Sequence, residues 1–354
     1  VQWCTHVLNM RSERHKMVLE KRGSILLMVL VLITIVSYVL TKFVERANVE
    51  IQGEGYYVER SRLRLHAWSY LEIAVAVLAD VKAIDNAIYA PAQGWANPLE
   101  YAQIEVPEGL SVKIEFIDES AKLSINELDE GSLFLLFDEM DFDLDVSQTL
   151  ANTLLDWIDE DDEARIDGAE SREYSTTNFE MHPSNQPLGS LDELSSIIGF
   201  RELFFNEDGV PNENFDRLSD VVTHYPVQVM NVNSAKPLAL LSLAGLNEIQ
   251  IETIEEYLAG LDGEPGTEDD NYFANGGELS DVIGETERGT PLSQQISVLT
   301  VKVVVQEKGS SYSLIGTLST DLETSENGET GELEYPFLFL ELKEEPGMNN
   351  ASPS

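Results

Sequence analysis

The chain is long and strongly acidic. Its 354 residues include 22 Lys and Arg against 64 Asp and Glu, which gives a formal charge of −42 at pH 7. This length predicts two or three domains, and a hydrophobic content of 43% excludes an acidic disordered polymer. The acid excess argues against nucleic acid as a partner, because phosphate binding needs clustered Lys and Arg. The single cysteine, Cys4, excludes an intrachain disulfide, a C-x-x-C redox motif and a thiolate zinc site.

An apolar segment close to the N-terminus predicts a membrane anchor. Residues 24–40 carry no charge, and extension to Phe43 gives about 20 residues, the length of one bilayer span. Lys21 and Arg22 precede it directly, so the positive-inside rule places the N-terminus in the cytoplasm and the bulk outside the inner membrane. The alternative is a cleaved secretory signal. That would need a shorter apolar core and a small-x-small site, which residues 42–45 do not provide.

The residues just before the apolar segment form a processing pattern. Lys21-Arg22-Gly23-Ser24 resembles the leader of type IV pilin-like proteins, which prepilin peptidase cuts on the cytoplasmic side after such a glycine. The resemblance implies that residues 1–23 are a leader and that the mature chain starts at Ser24. Residues 24–43 would then be the membrane half of the N-terminal helix.

The helical pattern continues beyond the membrane. No proline occurs between Thr41 and Asn86, and Gly53 and Gly55 are the only glycines there. A set of apolar residues repeats at helical spacing: Leu63, Ala67, Tyr70, Leu71, Ala74, Leu78 and Val81. We therefore predict one helix from Ser24 to about Ala87. The alternative is an anchor, a linker and a separate helix.

Strand patterns occur at both ends of the remaining chain. They cover residues 112–116, 122–126, 297–305, 312–318 and 335–342. We predict that these strands form one antiparallel sheet against the long helix, after a loop at residues 90–109. Residues 44–126 and 292–343 would form this domain, residues 127–291 a helical insertion, and residues 344–354 a disordered tail.

The insertion contains a weak internal repeat. Residues 191–200, 237–246 and 278–284 each place a glycine at the end of a short apolar segment, as a left-handed helix cap requires. The alternative is that short amphipathic helices look alike. Residues 231–246 also resemble a helix-hairpin-helix element. We assign it a structural use, because Lys236 is the only nearby cation.

Two dense acidic clusters in the insertion predict calcium sites. They lie at residues 156–170 and 262–270, and Ca²⁺ takes six to eight hard oxygen ligands from flexible turns. A divalent cation would also relieve the repulsion between the carboxylates. The candidate ligands are Asp159, Asp161, Asp162, Glu170, Asp262, Glu264, Asp269 and Asp270. Neither cluster has EF-hand spacing, so solvated acidic loops are the alternative.

The sequence does not predict an enzyme. No pair among the 64 acids is singled out as a glycosidase acid and base. The chain also lacks a G-x-S-x-G, an H-E-x-x-H and a phosphate-binding loop. A periplasmic hydrolase remains the least favoured hypothesis.

Together these features resemble the type II secretion minor pseudopilin K family over residues 21–342. The motifs that carry the resemblance are Lys21-Arg22-Gly23, residues 155–161 (LDWIDED), Gly168-Ala169-Glu170, residues 185–188 (NQPL), Asp192-Glu193-Leu194 and residues 231–235 (NVNSA). The resemblance implies an α+β fold, with a pilin-like long helix on an antiparallel sheet and a large all-α domain inserted in the sheet. It also implies calcium in the helical domain, and a complex with minor pseudopilins I and J at the tip of the periplasmic pseudopilus shaft.

The fifth residue of the mature chain indicates where in a filament the subunit would lie. Most pilin-like proteins have a glutamate there, which pairs with the N-terminal amine of a neighbouring subunit, whereas this chain has Met28. A chain without that carboxylate lacks the usual docking charge, which favours a tip subunit over a repeating shaft subunit. Met28 is alternatively an ordinary lipid-facing residue. The rival function is a membrane-anchored periplasmic calcium-dependent binding module outside any filament.

Overall fold

The computed structural model describes residues 2–176, 182–267, 269–286, 291–320 and 337–346, with the backbone alone for residues 2–25, 48–57 and 346. The chain divides into two compact units, Val1–Arg62 and Leu63–Ser354. The helices are α1 (Gln2–Asp85), α2 (Pro98–Tyr101), α3 (Glu130–Glu139), α4 (Leu144–Ile158), α5 (Ser171–Tyr174), α6 (Phe200–Phe204), α7 (Glu213–Ser219), α8 (Pro237–Ser242), α9 (Glu248–Leu258) and α10 (Gly276–Ile283). The strands are β1 (Leu110–Asp118), β2 (Leu123–Ser124), β3 (Val222–Thr223), β4 (Met230–Asn231), β5 (Leu292–Ser293), β6 (Val298–Glu307), β7 (Ser310–Ser319) and β8 (Leu338–Pro346).

The N-terminal unit consists of the first part of α1. Within it, Leu26–Ala47 is long enough and apolar enough to cross a membrane, by length and composition. Its large apolar side chains are exposed, Met28 among them at 73%. Exposure of so much apolar surface is unfavourable in water, and a bilayer removes that cost. The helix is continuous at Gly53 and Gly55, as the missing proline predicts.

In the second unit, the last part of α1 lies on the main sheet. All seven residues predicted from helical spacing, Leu63 to Val81, are buried. They form one core with inward-facing strand residues such as Val301, Val303 and Leu314. Trp95, from the segment between α1 and β1, packs edge-on against Phe116 at 5.0 Å between ring centres. This segment, predicted as a loop, also contains α2 and a short 3₁₀ turn at Pro91–Gln93.

The main sheet has four antiparallel strands in the order β1-β6-β7-β8. The strands predicted at 112–116, 297–305 and 312–318 are β1, β6 and β7. The last predicted strand is β8, although Tyr335 lies outside the described residues. Because β1 and β6 are neighbours, with Asp118 opposite Leu299, the insertion leaves and re-enters the sheet at one place.

The prediction that residues 122–126 join the antiparallel sheet is wrong. A 3₁₀ turn at Glu119–Ala121 follows β1 directly, and Asp118 accepts a hydrogen bond from the Ser120 amide at 2.9 Å. The chain therefore turns away, and β2 pairs in parallel with β3 inside the insertion. A second short parallel pair joins β4 and β5. In the described part of the insertion and its ends, the regular structure is therefore mainly helical, with two short parallel strand pairs of two residues each.

The insertion has its own apolar core. Phe137 of α3 and Phe200 and Phe204 of α6 are fully buried. Phe137 and Phe200 meet edge to face, with 5.7 Å between their ring centres. The repeat glycines Gly199, Gly245 and Gly284 all have positive φ, between 67° and 88°. Gly199, however, starts α6 after a 3₁₀ turn at Leu191–Ser196, so the first copy differs from the others.

The prediction that the disordered tail begins at Glu344 is wrong, because β8 continues to Pro346. Arg64 of α1 forms an ion pair with Glu344 at 2.6 Å, and the Tyr312 hydroxyl donates to the same carboxylate at 2.6 Å. These hydrogen bonds lower the pKa of Glu344 to about 2. Residues 347–354 lie outside the described part of the chain.

A partly buried polar network joins the insertion to the main sheet. The Tyr225 hydroxyl donates to Glu341 of β8 at 2.6 Å, and it lies 3.0 Å from the Thr317 hydroxyl of β7. Thr223 donates to the Glu119 carboxylate at 2.8 Å. The insertion is therefore fastened to the sheet by hydrogen bonds as well as by its two chain connections.

Candidate metal centre

The first acidic cluster follows α4, which is amphipathic and packs on the core of the insertion. The last turns of α4 place Asp156 inside the protein, where its side chain is 0% exposed. A buried carboxylate needs hydrogen bonds and an opposite charge. Both come from Arg165, whose backbone amide donates to Asp156 at 3.1 Å and whose Nη1 donates at 2.6 Å.

Gly168 makes the close approach of this loop to Asp156 possible. A Cβ atom at residue 168 would lie 2.0 Å from Asp156 Oδ2, a distance that no carbon–oxygen contact allows. The preceding residue, Asp167, has a φ of 61° and so turns the chain back towards α4. A side chain at residue 168 is therefore incompatible with this arrangement.

Three of the predicted ligands come together beside this pair. One carboxylate oxygen each from Asp159, Asp161 and Glu170 lies within 4.8 Å of the others. Glu170 is 2% exposed, and neither of its carboxylate oxygens has a hydrogen-bond partner among the described residues. Asp159 Oδ1 is also buried and unpartnered there. Buried polar atoms are rarely left unpaired, so these oxygens are suited to bind a cation or ordered water.

The electrostatics of the centre favour a cation. Burial raises the pKa of Glu170 to about 7, and the charges of Asp156, Asp159, Asp162 and Asp161 add to this effect. A hard divalent cation reverses this situation, because it stabilises the ionised carboxylates. The three carboxylates fit Ca²⁺, which binds carboxylate oxygens in flexible loops.

Neighbouring segments hold the acidic loop in place. The Asn185 side chain donates to the backbone oxygen of Asp161 at 3.1 Å, and its amide donates to the Trp157 oxygen at 3.0 Å. Asp162 accepts a hydrogen bond from the Ser171 amide at the start of α5, at 3.3 Å. In this structure Asp162 therefore holds α5 and is not part of the close group of three.

The second acidic cluster is arranged differently. Asp269 Oδ2 accepts hydrogen bonds from the amides of Leu261 and Asp262 at 2.7 and 3.0 Å. Asp270 accepts from the Gly266 amide at 2.7 Å, and Asp262 from the Glu264 amide at 2.8 Å. Among its described residues, which leave out residue 268, the loop forms no close group of three carboxylates. Calcium binding by this loop stays a prediction.

The roles of Arg165 and Gly168 were not predicted from the sequence, in which Gly168 was noted only as part of a family motif. Residues 156–170 were interpreted as a run of acids, whereas the structure shows an ion pair between Arg165 and Asp156 beneath the three candidate ligands. No apolar pattern marks Asp156 in the sequence, because the residues one turn before it, Asn152 and Thr153, are polar and are buried as well.

The processing residues predicted from the leader lie within helix α1. The backbone is helical at Gly23 and Ser24. Met28 is on the exposed apolar surface of the N-terminal unit.

Residues 117–207, which include the acidic centre, match the family model for protein K of the type II secretion system (T2SS). Over 251 residues the chain is 21% identical to type II secretion system protein K of Pectobacterium carotovorum subsp. carotovorum, which covers 65% of this chain and 72% of that protein. Over 116 residues it is 30% identical to protein K of Dickeya chrysanthemi, which covers 32% of this chain and 29% of that protein. Over these residues the chain is therefore similar to type II secretion system protein K.

A solved structure supports the fold of this chain. The crystal structure of the GspK–GspI–GspJ complex from enterotoxigenic Escherichia coli matches with a TM-score of 0.56 and 14% identity, over 82% of this chain and 97% of the matched one. The predicted pilin-like architecture, a long helix on an antiparallel sheet with an inserted helical domain, is confirmed.

Proposed function

We propose that this chain caps the tip of the periplasmic pseudopilus, in a complex with minor pseudopilins I and J. The observation that carries the proposal is a pilin-like sheet interrupted by an insertion that has its own core. A subunit with so large an insertion has little room for another stacked above it. The crystal structure of similar fold contains GspK together with GspI and GspJ, which supports the choice of partners.

Met28 supports a terminal position. A glutamate five residues after the processing site would offer a carboxylate to the N-terminal amine of a neighbour, and a methionine cannot. Met28 is 73% exposed and lies within the segment Leu26–Ala47. In the proposed mechanism, Lys21 and Arg22 keep the N-terminus of the unprocessed chain in the cytoplasm. After cleavage behind Gly23, this segment holds the processed chain in the inner membrane until the chain enters the filament.

The test of this function begins with processing. N-terminal sequencing of the chain from cells with active prepilin peptidase should give Ser24 as the first residue. An intact chain in those cells, or a product starting beyond Phe43, would refute the proposal.

The second test is assembly. The full processed chain in detergent micelles should co-purify with minor pseudopilins I and J and not with the repeating shaft pseudopilin alone. A Met28→Glu variant supplies the missing carboxylate. We expect it to gain association with the shaft subunit, whereas an exposed-site control, Leu32→Glu, should not.

Calcium binding at Asp159, Asp161 and Glu170 is the second part of the proposal. It is supported by the unpartnered oxygens of a carboxylate that is only 2% exposed. If calcium binds the folded protein, the melting temperature of the full chain rises with calcium concentration and falls when EDTA is added. An unchanged melting temperature in EDTA would exclude a stabilising calcium ion.

The alternative function is a membrane-anchored periplasmic module that binds partners through calcium, outside any filament. The acidic centre favours this module to the same degree as it favours the tip subunit, whereas the similarity to type II secretion system protein K favours the tip subunit. The two differ in co-purification, because a free module would bind calcium and yet not assemble with proteins I and J.

A further inference from the structure

Arg165 contacts the acidic centre directly. Its Nη1 atom lies 2.6 Å from Asp156 Oδ1 and 2.5 Å from Asp159 Oδ2. The Arg165 side chain is 35% exposed, whereas that of Asp156 is 0% exposed. One guanidinium group therefore bridges a fully buried acid and one of the three candidate calcium ligands.

The two acids have different roles. Asp156 accepts hydrogen bonds from both the backbone amide and the side chain of Arg165, and it is outside the close group of three. Removal of Arg165 would leave Asp156 as a buried charge without an ionic partner, which is strongly unfavourable. Asp159, by contrast, belongs to the close group, and it shares one oxygen with Arg165 while Oδ1 is unpartnered.

We propose that Arg165 is an internal counter-cation that competes with calcium for Asp159 and thereby sets the calcium affinity of the centre. The inference rests on the calcium binding proposed above. In the protein without calcium, Arg165 neutralises Asp156 and part of the charge on Asp159. When calcium binds, it takes Asp159 into its coordination, and Arg165 stays on Asp156.

Arg165 neutralises only part of the negative charge of the acidic centre, so a second cation can still bind there. Both oxygens of Glu170 remain without a partner although Arg165 is in place. Arg165 therefore weakens calcium binding by its positive charge, since like charges at close range repel each other. It does not fill the position that a cation would occupy between Glu170, Asp159 and Asp161.

The test compares three variants of the full chain in detergent micelles, titrated calorimetrically with CaCl₂ in chelator-treated buffer. Arg165→Gln removes the charge and keeps a hydrogen-bond donor for Asp156. We expect it to bind calcium about tenfold more tightly, a change of about 1.4 kcal/mol. Arg165→Lys keeps the charge and should bind within threefold of the parent chain.

The matched control is Arg217→Gln, which removes a charge elsewhere in the insertion. Arg217 pairs with exposed Asp141 at 3.4 Å and is similarly exposed, at 38%. It should leave the calcium affinity within twofold. A tenfold gain in this control as well would assign the effect to net charge and overturn the specific role of Arg165.

The other results for the Arg165 variants and for the parent chain also decide between the hypotheses. Unchanged or weaker calcium binding by Arg165→Gln overturns the competition and makes Arg165 a positioning residue, as would a tenfold loss in Arg165→Lys. If Arg165→Gln folds only with calcium, its calcium affinity can still be obtained from the increase of its melting temperature with calcium concentration, because calcium stabilises only the folded state that binds it. If the parent chain binds no calcium at all, the calcium proposal itself has failed, which is a separate result.

Discussion

The contact between Gly168 and Asp156 gives a sharp prediction about stability. In Gly168→Ala, the new methyl group would lie 2.0 Å from Asp156 Oδ2 and 3.2 Å from the Arg165 amide. The loop must move away, which separates Arg165 from Asp156. Breaking a buried ion pair costs about 3–5 kcal/mol, and we take the lower end because Arg165 is 35% exposed.

The expected loss follows from two opposing effects. The alanine reduces the conformational freedom of the unfolded chain, which returns about 0.4–1 kcal/mol. The net loss in the free energy of unfolding is therefore about 2–3 kcal/mol. For a unit of this size, about 2 °C of melting temperature corresponds to each kcal/mol, so we expect a decrease of roughly 4–6 °C.

The assay is thermal unfolding of the full chain in micelles with EDTA, followed by near-ultraviolet circular dichroism. Gly131→Ala is the matched control, because a Cβ atom there lies 3.7 Å from its nearest neighbour and the residue is in α3. The control should be neutral or slightly stabilising. If Gly168→Ala melts within 1 °C of the parent protein by this measure, the arrangement around Asp156 is not as described.

Three further predictions concern the carboxylates and the network at the sheet. Because the pKa of Glu170 is raised to about 7, the stability that its protonated form provides is complete below pH 4.5 and is lost as the pH rises through about 7. Calcium affinity should therefore rise with pH between 4.5 and about 7, because Glu170 becomes ionised. The Glu170→Gln variant should lose both the pH dependence of stability and the pH dependence of calcium binding that come from this residue. Truncation after residue 343 deletes Glu344, and it should increase amide hydrogen exchange throughout β8. Tyr225→Phe should lower the free energy of unfolding by about 1 kcal/mol, because Glu341 loses a hydrogen bond.

Each of these three has a control. A pH profile of calcium binding that is the same in the parent chain and in Glu170→Gln would show that Glu170 is not a ligand. Truncation after residue 346 keeps Glu344, so equal exchange rates in the two truncated chains would refute the role of its ion pair. Tyr101 is 39% exposed, and Tyr101→Phe should be neutral. An equal loss in that variant would show that the effect does not come from the network.

The sequence was sufficient for the parts of the fold with a clear period. The apolar residues of α1 from Leu63 to Val81 and the alternating residues of β6 are buried as predicted, because one buried face fixes each pattern. Strand β2 was assigned to the wrong sheet. A run of two to five residues shows β-propensity but not its pairing partner, and that partner, β3, is about 100 residues away in the chain.

The candidate site was predictable in composition and not in geometry. Residues 156–170 and 262–270 have similar acid content, yet the first brings Asp159, Asp161 and Glu170 together and the second uses its carboxylates to cap loop amides. This difference depends on which oxygens meet backbone N–H groups, which composition does not contain. The end of β8 was missed for a related reason. Glu344 looks like part of an acidic tail, and its partner Arg64 is 280 residues away.

The position of the insertion has a consequence for how such proteins can diversify. Both of its ends join the sheet between β1 and β6, which are already hydrogen-bonded neighbours across nine residue pairs. For those two strands the entire helical domain is equivalent to the loop of a hairpin. Its length and content can therefore change without any shift in strand register, and a pilin-like scaffold could acquire a new head there while its long N-terminal helix stays the same.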